Sequence, residues 1–239
     1  MTEPRARIGY TSVAYVTEIF PKLFYELVPE GVLLQILTQH VSSHADGNMK
    51  TLHEGARATV ETFVRAGSDI VILGGSPTNL AKGENALEEI LNDLSVEFGI
   101  PVSSSATAQI KALRAVNAHR IGIIHPASNS RNKAQLSKLS NSGFEPVICL
   151  GVGATFEDYN RISKNTALDL GRNLLERDQE VDTLLYSCPH WPLADTVEIL
   201  EKMYNVTVVS SFNAIIWEGL RSCGIKDQIQ ENGRLLREY

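Results

Sequence analysis

DIVILGG, Asp69–Gly75, and DTLLYSC, Asp182–Cys188, decide the reading of this chain. Each is an acidic residue, a short run of largely apolar residues and a pair of small residues, the pattern of a buried parallel strand ending in a loop. The second begins 113 positions after the first, and the same spacing links Arg7-Ile8-Gly9 to Arg120-Ile121-Gly122. PVSSSATA, Pro101–Ala108, returns as TVVSSFNA, Thr207–Ala214, 106 positions later, a shift that one modest loop deletion explains. Three matched strands in matched order read as an internal repeat.

Outward from these stretches, short apolar runs alternate with amphipathic segments. Strands are expected at Arg7–Tyr10, Val32–Leu37, Asp69–Leu73 and Pro101–Ser103, and again at Arg120–Ile124, Val147–Leu150, Thr183–Tyr186 and Val206–Val209. A helix is expected over Lys50–Ala66, where Leu52, Ala56, Val60, Phe63 and Val64 recur at helical spacing and Gly67 follows as a C-cap. Others are expected over Ala86–Phe98, Lys133–Ser142, Asn160–Glu176, Leu193–Tyr204 and Phe212–Ser222. Such alternation implies parallel sheets covered by helices. The expected fold is α/β, with two pseudo-symmetric domains, each a short parallel sheet flanked by helices. Residues 1–112 with 214–239 form the first half and 113–213 the second, the last helix crossing back onto the first half. Ligands of open parallel sheets bind at the carboxyl ends of the strands. The active site is therefore expected in the cleft between the halves, with Gly75 and Cys188 at equivalent positions.

The 239 residues are 43% hydrophobic and 21% charged, a balance that supports a buried core and excludes a disordered chain. With 22 Lys+Arg against 28 Asp+Glu, a net charge of −6 argues against a nucleic-acid partner. No apolar run approaches the ~20 residues of a membrane helix, and Met1–Arg7 is polar, so a cytoplasmic protein with no membrane partner is expected. Three cysteines, Cys149, Cys188 and Cys223, show no regular spacing, which indicates neither a disulfide framework nor a zinc site. His40, His44 and His53 have no metal-ligand spacing and read as surface or loop residues.

The sequence resembles the aspartate/glutamate racemase superfamily, and within it the branch of maleate cis-trans isomerases and arylmalonate decarboxylases. The resemblance covers nearly the whole chain. It is most specific in LLYSCPHWPLADTVEILEKMYNVTVVSS, Leu184–Ser211, with DIVILGGSP as the first-half counterpart. In the racemases and isomerases both halves carry a cysteine. The decarboxylases carry glycine in the first half and cysteine in the second, which is the pattern of Gly74-Gly75 and Cys188 here. A two-base racemase needs an acid/base on each face of its substrate. One thiol can still protonate a planar enediolate from one side after carbon dioxide has left.

The resemblance implies that Ser76, Thr78 and backbone groups around Gly74 and Gly75 hold the retained carboxylate, and that Asn132 matches an asparagine opening the next helix. Three positions depart from the pattern. Pro77 replaces a hydroxyl residue, Pro189 removes a backbone N–H after the cysteine, and Ala127 stands where the family has tyrosine. Two histidines arrive instead, His125 at a strand end and His190 two residues after Cys188. Each is a candidate carboxylate donor or acid/base, and His125 is a candidate for depressing the Cys188 pKa. Cys149 and Cys223 read as structural, Ser103–Ser105 and Ser210-Ser211 as helix caps. Trp191 and Trp217 are expected either to line an apolar wall or simply to pack.

The expected function is that of a carbon–carbon lyase without cofactor, acting on a substituted malonate-type acid, with Cys188 as proton donor and Gly74, Gly75, Ser76, Thr78, His125, Asn132, Pro189 and His190 around the substrate. Its partner is a small carboxylate, and the protein is expected to be a monomer or homodimer. One alternative is an isomerase or racemase of a small dicarboxylate in which a histidine replaces the missing thiol. The other is a non-catalytic carboxylate-binding homologue.

Overall fold

Residues 3–12, 17–38, 49–75, 84–191, 193 and 195–239 are described by the computed structural model. They fall into two units, Met1–Ala108 with Glu218–Asp227, and Gln109–Trp217 with Gln228–Tyr239.

The first unit contains β1 (Ala6–Ser12), α1 (Ile19–Leu27), β2 (Val32–Thr38), α2 (Met49–Arg65), β3 (Ile70–Leu73), α3 (Glu84–Phe98) and β4 (Val102–Ser104), followed by the start of α4 (Ser105–Ala115). Its four strands are parallel in the order β2-β1-β3-β4. The second unit contains β5 (Arg120–His125), α5 (Asn132–Asn141), β6 (Glu145–Gly151), α6 (Lys164–Arg177), β7 (Thr183–Tyr186), α7 (Thr196–Tyr204), β8 (Thr207–Ser210), most of α8 (Ser211–Ser222) and α9 (Arg234–Glu238). Its strands are parallel in the order β6-β5-β7-β8, the same topology over again.

The repeat holds at the level of register. Ile8 pairs with Ile70 as Ile121 pairs with Thr183, and Val71 pairs with Val102 as Leu184 pairs with Val208. Strand pairing thus reproduces both spacings seen in the sequence.

The conserved letters of the repeat have physical causes. Arg7 N donates to Asp69 Oδ2 at 2.7 Å while Asp69 N donates to Arg7 O at 2.9 Å. In the second unit Arg120 N and His119 N donate to the Asp182 carboxylate at 2.8 and 3.2 Å, and Asp182 N donates to Arg120 O at 3.1 Å. Each aspartate therefore closes the amino end of its sheet, where backbone amides would otherwise lack acceptors. The repeated glycine is a packing requirement. A Cβ on Gly9 would stand 2.8 Å from the Phe63 ring, and one on Gly122 would stand 2.5 Å from Leu174, so α2 and α6 lie directly on these strands. Of the expected capping serines, Ser104 and Ser210 cap their helices, whereas Ser103 Oγ is buried with no partner among the described residues and Ser211 Oγ donates to Tyr186 O at 3.3 Å. Ser104 Oγ accepts from Thr107 N at 3.1 Å and Ser210 Oγ accepts from Asn213 N at 3.0 Å, while Ser210 N donates back to Asn213 Oδ1 at 2.7 Å.

The apolar core of the first unit includes Val60, Phe63, Val71, Leu91, Leu94 and Val102. In the second, Ile124, Leu174, Leu184, Tyr186, Trp191, Val197, Leu200 and Val208 form the centre. Burial of these side chains supplies the main favourable term for each sheet.

Several boundaries differ from expectation. The helix expected from Asn160 begins at Lys164, because Ser163 caps it through a bond from Thr166 N, and residues 156–161 form a 3-10 turn instead. The helix expected from Leu193 begins at Thr196. Helix α1 carries Pro21 in its first turn, where proline is tolerated.

The placement of 214–239 in the first half is corrected in part. Glu218–Asp227 belongs to the first unit, where Gly219 packs close to Ile8, but Gln228–Tyr239 belongs to the second. Leu235 and Leu236 are fully buried there, and polar contacts add to them. Gly233 N donates to Glu198 at 2.9 Å, Arg234 N donates to the buried Glu201 carboxylate at 2.9 Å, and Arg237 pairs with Glu198 at 3.4 Å. A helix as short as α9 gives no periodic signal, and partners more than thirty residues away are invisible to pattern reading. Among the described residues no helix is long and apolar enough to cross a membrane.

Candidate active site

In the first unit β3 runs out at Leu73 into Gly74 and Gly75. Gly74 N donates to Thr11 Oγ1 at 2.7 Å. A Cβ on Gly74 would lie 1.9 Å from the Thr11 carbonyl oxygen and 3.0 Å from the Tyr10 hydroxyl. Gly75 has φ +101, a conformation that L side chains rarely adopt. A side chain at Gly74 would require the Thr11 carbonyl to shift, and one at Gly75 would be strained. Ser76 and Thr78 lie outside the described residues, as do Pro77, His40 and His44.

In the second unit Ser187 N donates to Ile124 O at 2.9 Å, carrying the ladder one residue past β7, and Cys188 N then donates to Tyr186 O at 3.1 Å in a tight turn. Cys188 is 6% exposed. Pro189 has no N–H, so the next two residues serve: the backbone N–H groups of His190 and Trp191 donate to the Cys188 sulfur. Burial outweighs them and pushes the thiol up to about 12. Cys188 consequently stays protonated at neutral pH, while two donors stand ready to receive negative charge once the proton has gone. The segment after it is anchored by Trp191, which packs edge-on against Tyr186 at 5.7 Å, and by Tyr186 OH, which donates to Ala167 O at 2.7 Å. Trp191 is thus a core residue, and Trp217 Nε1 donates to Tyr239 O at 3.1 Å.

His125 ends β5 at 1% exposure. Its Nε2 lies 2.8 Å from Asn132 Oδ1. The Asn132 amide orientation is fixed because Nδ2 donates to Cys149 O at 2.8 Å and to Asn129 Oδ1 at 3.1 Å. Asn132 Oδ1 is therefore an acceptor, Nε2 carries the proton, and Nδ1 is a bare acceptor with no partner among the described residues. Burial lowers the His125 pKa against the opposing bond to Asn132. This corrects two expectations. His125 is neutral, its one donor goes to Asn132, and its other ring nitrogen is a buried acceptor rather than a donor to a carboxylate. The Cys188 thiol is raised by burial, and its lowering influences come from the His190 and Trp191 amides. Asn132 acts as the positioning group of this network, with Asn129 behind it.

His190 is buried and its pKa falls to about 4. A group whose folded pKa lies below its unfolded value of about 6.5 contributes its full stability above that value and loses it as pH falls towards 4. The urea midpoint is expected to fall between pH 7 and pH 5, and His190→Gln should flatten that fall. An unchanged slope in the variant would contradict the assignment. Cys149 and Cys223 are pushed up to about 12 and about 11, burial being the main cause in both.

One residue near Cys188 escaped sequence reading. Tyr159, in the 3-10 turn Phe156–Arg161, packs against the cluster that holds Cys188, and burial raises its pKa. No spacing marks an aromatic residue in such a turn.

Comparison with known proteins gives one direction. The family model described as arylmalonate decarboxylase matches residues 36–236. The arylmalonate decarboxylase of Bordetella bronchiseptica is 25% identical over 179 residues, covering 72% of this chain and 75% of that protein. The maleate isomerase of Nocardia farcinica is 26% identical over 179 residues, covering 71% of this chain and 66% of its own. Among solved structures, a doubly substituted arylmalonate decarboxylase in its liganded form, with one glycine changed to cysteine and one cysteine to serine, superposes with a TM-score of 0.85 at 20% identity, over 98% of this chain and 100% of that one. The Nocardia farcinica maleate cis-trans isomerase superposes with a TM-score of 0.84 at 19% identity, over 98% of each chain. The repeated sheet, the glycine pair after β3 and the cysteine turn after β7 are accordingly those of a member of the arylmalonate decarboxylase family, to whose enzymes, decarboxylase and maleate isomerase alike, this chain is related.

Proposed function

We propose that this protein is a cofactor-independent decarboxylase of a substituted malonate-type acid, with Cys188 as the proton donor. The observation that carries the reading is the contrast between the two equivalent turns. One presents a buried, protonated thiol. The other carries glycine at both Gly74 and Gly75 and so presents no thiol.

The reaction requires the bond between the α-carbon and one carboxylate to break. Carbon dioxide leaves, and the electron pair passes into the retained carboxylate as an enediolate. The Cys188 S–H proton then moves to the α-carbon. The resulting thiolate is held by the His190 and Trp191 N–H groups until solvent returns a proton, so the cycle closes without an oxidant or reductant. An acid is useful only when protonated, and a thiol near 12 is protonated throughout the physiological range. A nucleophilic or basic cysteine would instead need its thiolate at working pH. The neutrality of His125 and His190 supports the same reading, since neither supplies a protonated acid on a second face.

Incubation with phenylmalonate and, separately, with maleate is the test. Carbon dioxide and phenylacetate are expected from the first and no fumarate from the second. Fumarate without decarboxylation would overturn the reading in favour of an isomerase.

A further inference from the structure

The turns after β3 and β7 leave their sheets differently, and one side chain accounts for the difference. Thr11, at the carboxyl end of β1, stands where Ile124 stands 113 positions later, and Gly74 stands where Ser187 does. In the second unit Ile124 pairs with Tyr186, and Ser187 N donates to the Ile124 carbonyl at 2.9 Å. An isoleucine side chain offers no acceptor, so the main-chain ladder continues into the turn. In the first unit the ladder stops one pair earlier, at Tyr10 with Ile72. Gly74 N donates instead to the Thr11 hydroxyl oxygen at 2.7 Å.

The consequence is a different chain path. The Thr11 carbonyl would take the Gly74 N–H if the first unit followed the second. It faces the Gly74 α-carbon instead, where a Cβ would stand 1.9 Å from it, and Gly75 follows with φ +101. Thr11 is 1% exposed, so its bond to the amide is shielded from water, and a buried amide is costly to leave unpaired. One buried hydroxyl thus takes the Gly74 amide off the ladder and sets the course of the glycine pair. Binding geometry is sensitive to such settings, since a displacement of about 1 Å transmitted from outside the reacting groups can cost about a hundredfold in rate.

We propose that Thr11 is the positioning residue of the first-half turn, its hydroxyl fixing the path of Gly74 and Gly75 against which the substrate carboxylate is held. The inference rests on the decarboxylase reading above and adds to it the residue that sets carboxylate affinity in the first half. Initial-rate kinetics with phenylmalonate and thermal melts, both on the full chain, test it. Thr11→Val keeps the shape without the acceptor and should raise KM about tenfold with little change in kcat, the signature of lost binding worth about one hydrogen bond. Thr11→Ser restores the hydroxyl and should bring KM back close to wild type. The melts supply a readout of the turn itself. In the Thr11→Val background the amide of residue 74 is free to return to the carbonyl of residue 11, so Gly74→Ala should lower the thermal midpoint by about half as much as in the wild type, or less. An unchanged KM in Thr11→Val, a Thr11→Ser as impaired as Thr11→Val, or strictly additive melting shifts each overturn the proposal and leave the decarboxylase reading intact. Absence of carbon dioxide release by the wild type overturns both. Should Thr11→Val lose its folded circular dichroism, Thr11→Ala carries the same test: an unchanged KM there overturns the proposal.

Discussion

Replacing Cys188 with alanine is expected to lower the rate of carbon dioxide release from phenylmalonate by about 10²–10⁴-fold, the range attributed to a positioned proton donor. The argument rests on how little else can deliver that proton. Burial holds His125 and His190 neutral, and Cys149 and Cys223 stay protonated in separate surroundings, Cys149 within β6 and Cys223 just past α8. Cys188→Ser should retain the fold and remain slow, because a hydroxyl is a weaker acid than a thiol, and the thiolate that the two amides receive would become a costlier alkoxide. Initial-rate assays, with circular dichroism to confirm folding, check both variants. Undiminished release in Cys188→Ala would remove Cys188 from the mechanism.

A second large effect concerns the fold rather than the chemistry. Gly74→Ala is expected to lower the stability of the first unit by about 3 kcal/mol, the upper part of the range for forced overpacking. In a chain of this length that corresponds to roughly 6–12 °C in thermal midpoint. The added methyl would meet the Thr11 backbone oxygen at 1.9 Å, and a backbone atom has no rotamer by which to move away. Gly55→Ala is the contrast. A Cβ there meets nothing within 4 Å on an exposed face of α2, and removing a helical glycine should add about 0.5–1 kcal/mol. Thermal melts of the two variants should move in opposite directions. Similar midpoints would show that the Gly74 turn relaxes freely.

Much of the fold was legible in the sequence because repetition carries long-range information. One register could be read against the other, and Asp69 with Asp182, Gly9 with Gly122 and the paired serines each identified an equivalent structural task. The cysteine turn was legible for the same reason. The details of the site were less so. His125 reads from sequence as a donor, and only the oriented Asn132 amide, pinned by Cys149 O and Asn129, reverses its polarity. The C-terminal residues return to the second unit through the fully buried Leu235 and Leu236 and through Glu198 and Glu201, carboxylates that on a helix surface look like ordinary solvated charges. In both cases the partners lie far away in sequence, beyond the reach of local periodicity.

The central claim is that one thiol protonates one face of a planar intermediate. It is tested most directly by decarboxylating methyl(phenyl)malonate in deuterium oxide and resolving the 2-phenylpropionate formed. The account predicts a single enantiomer carrying one deuterium at the α-carbon. A racemic product would contradict it, because that outcome requires proton delivery from both faces or from bulk solvent.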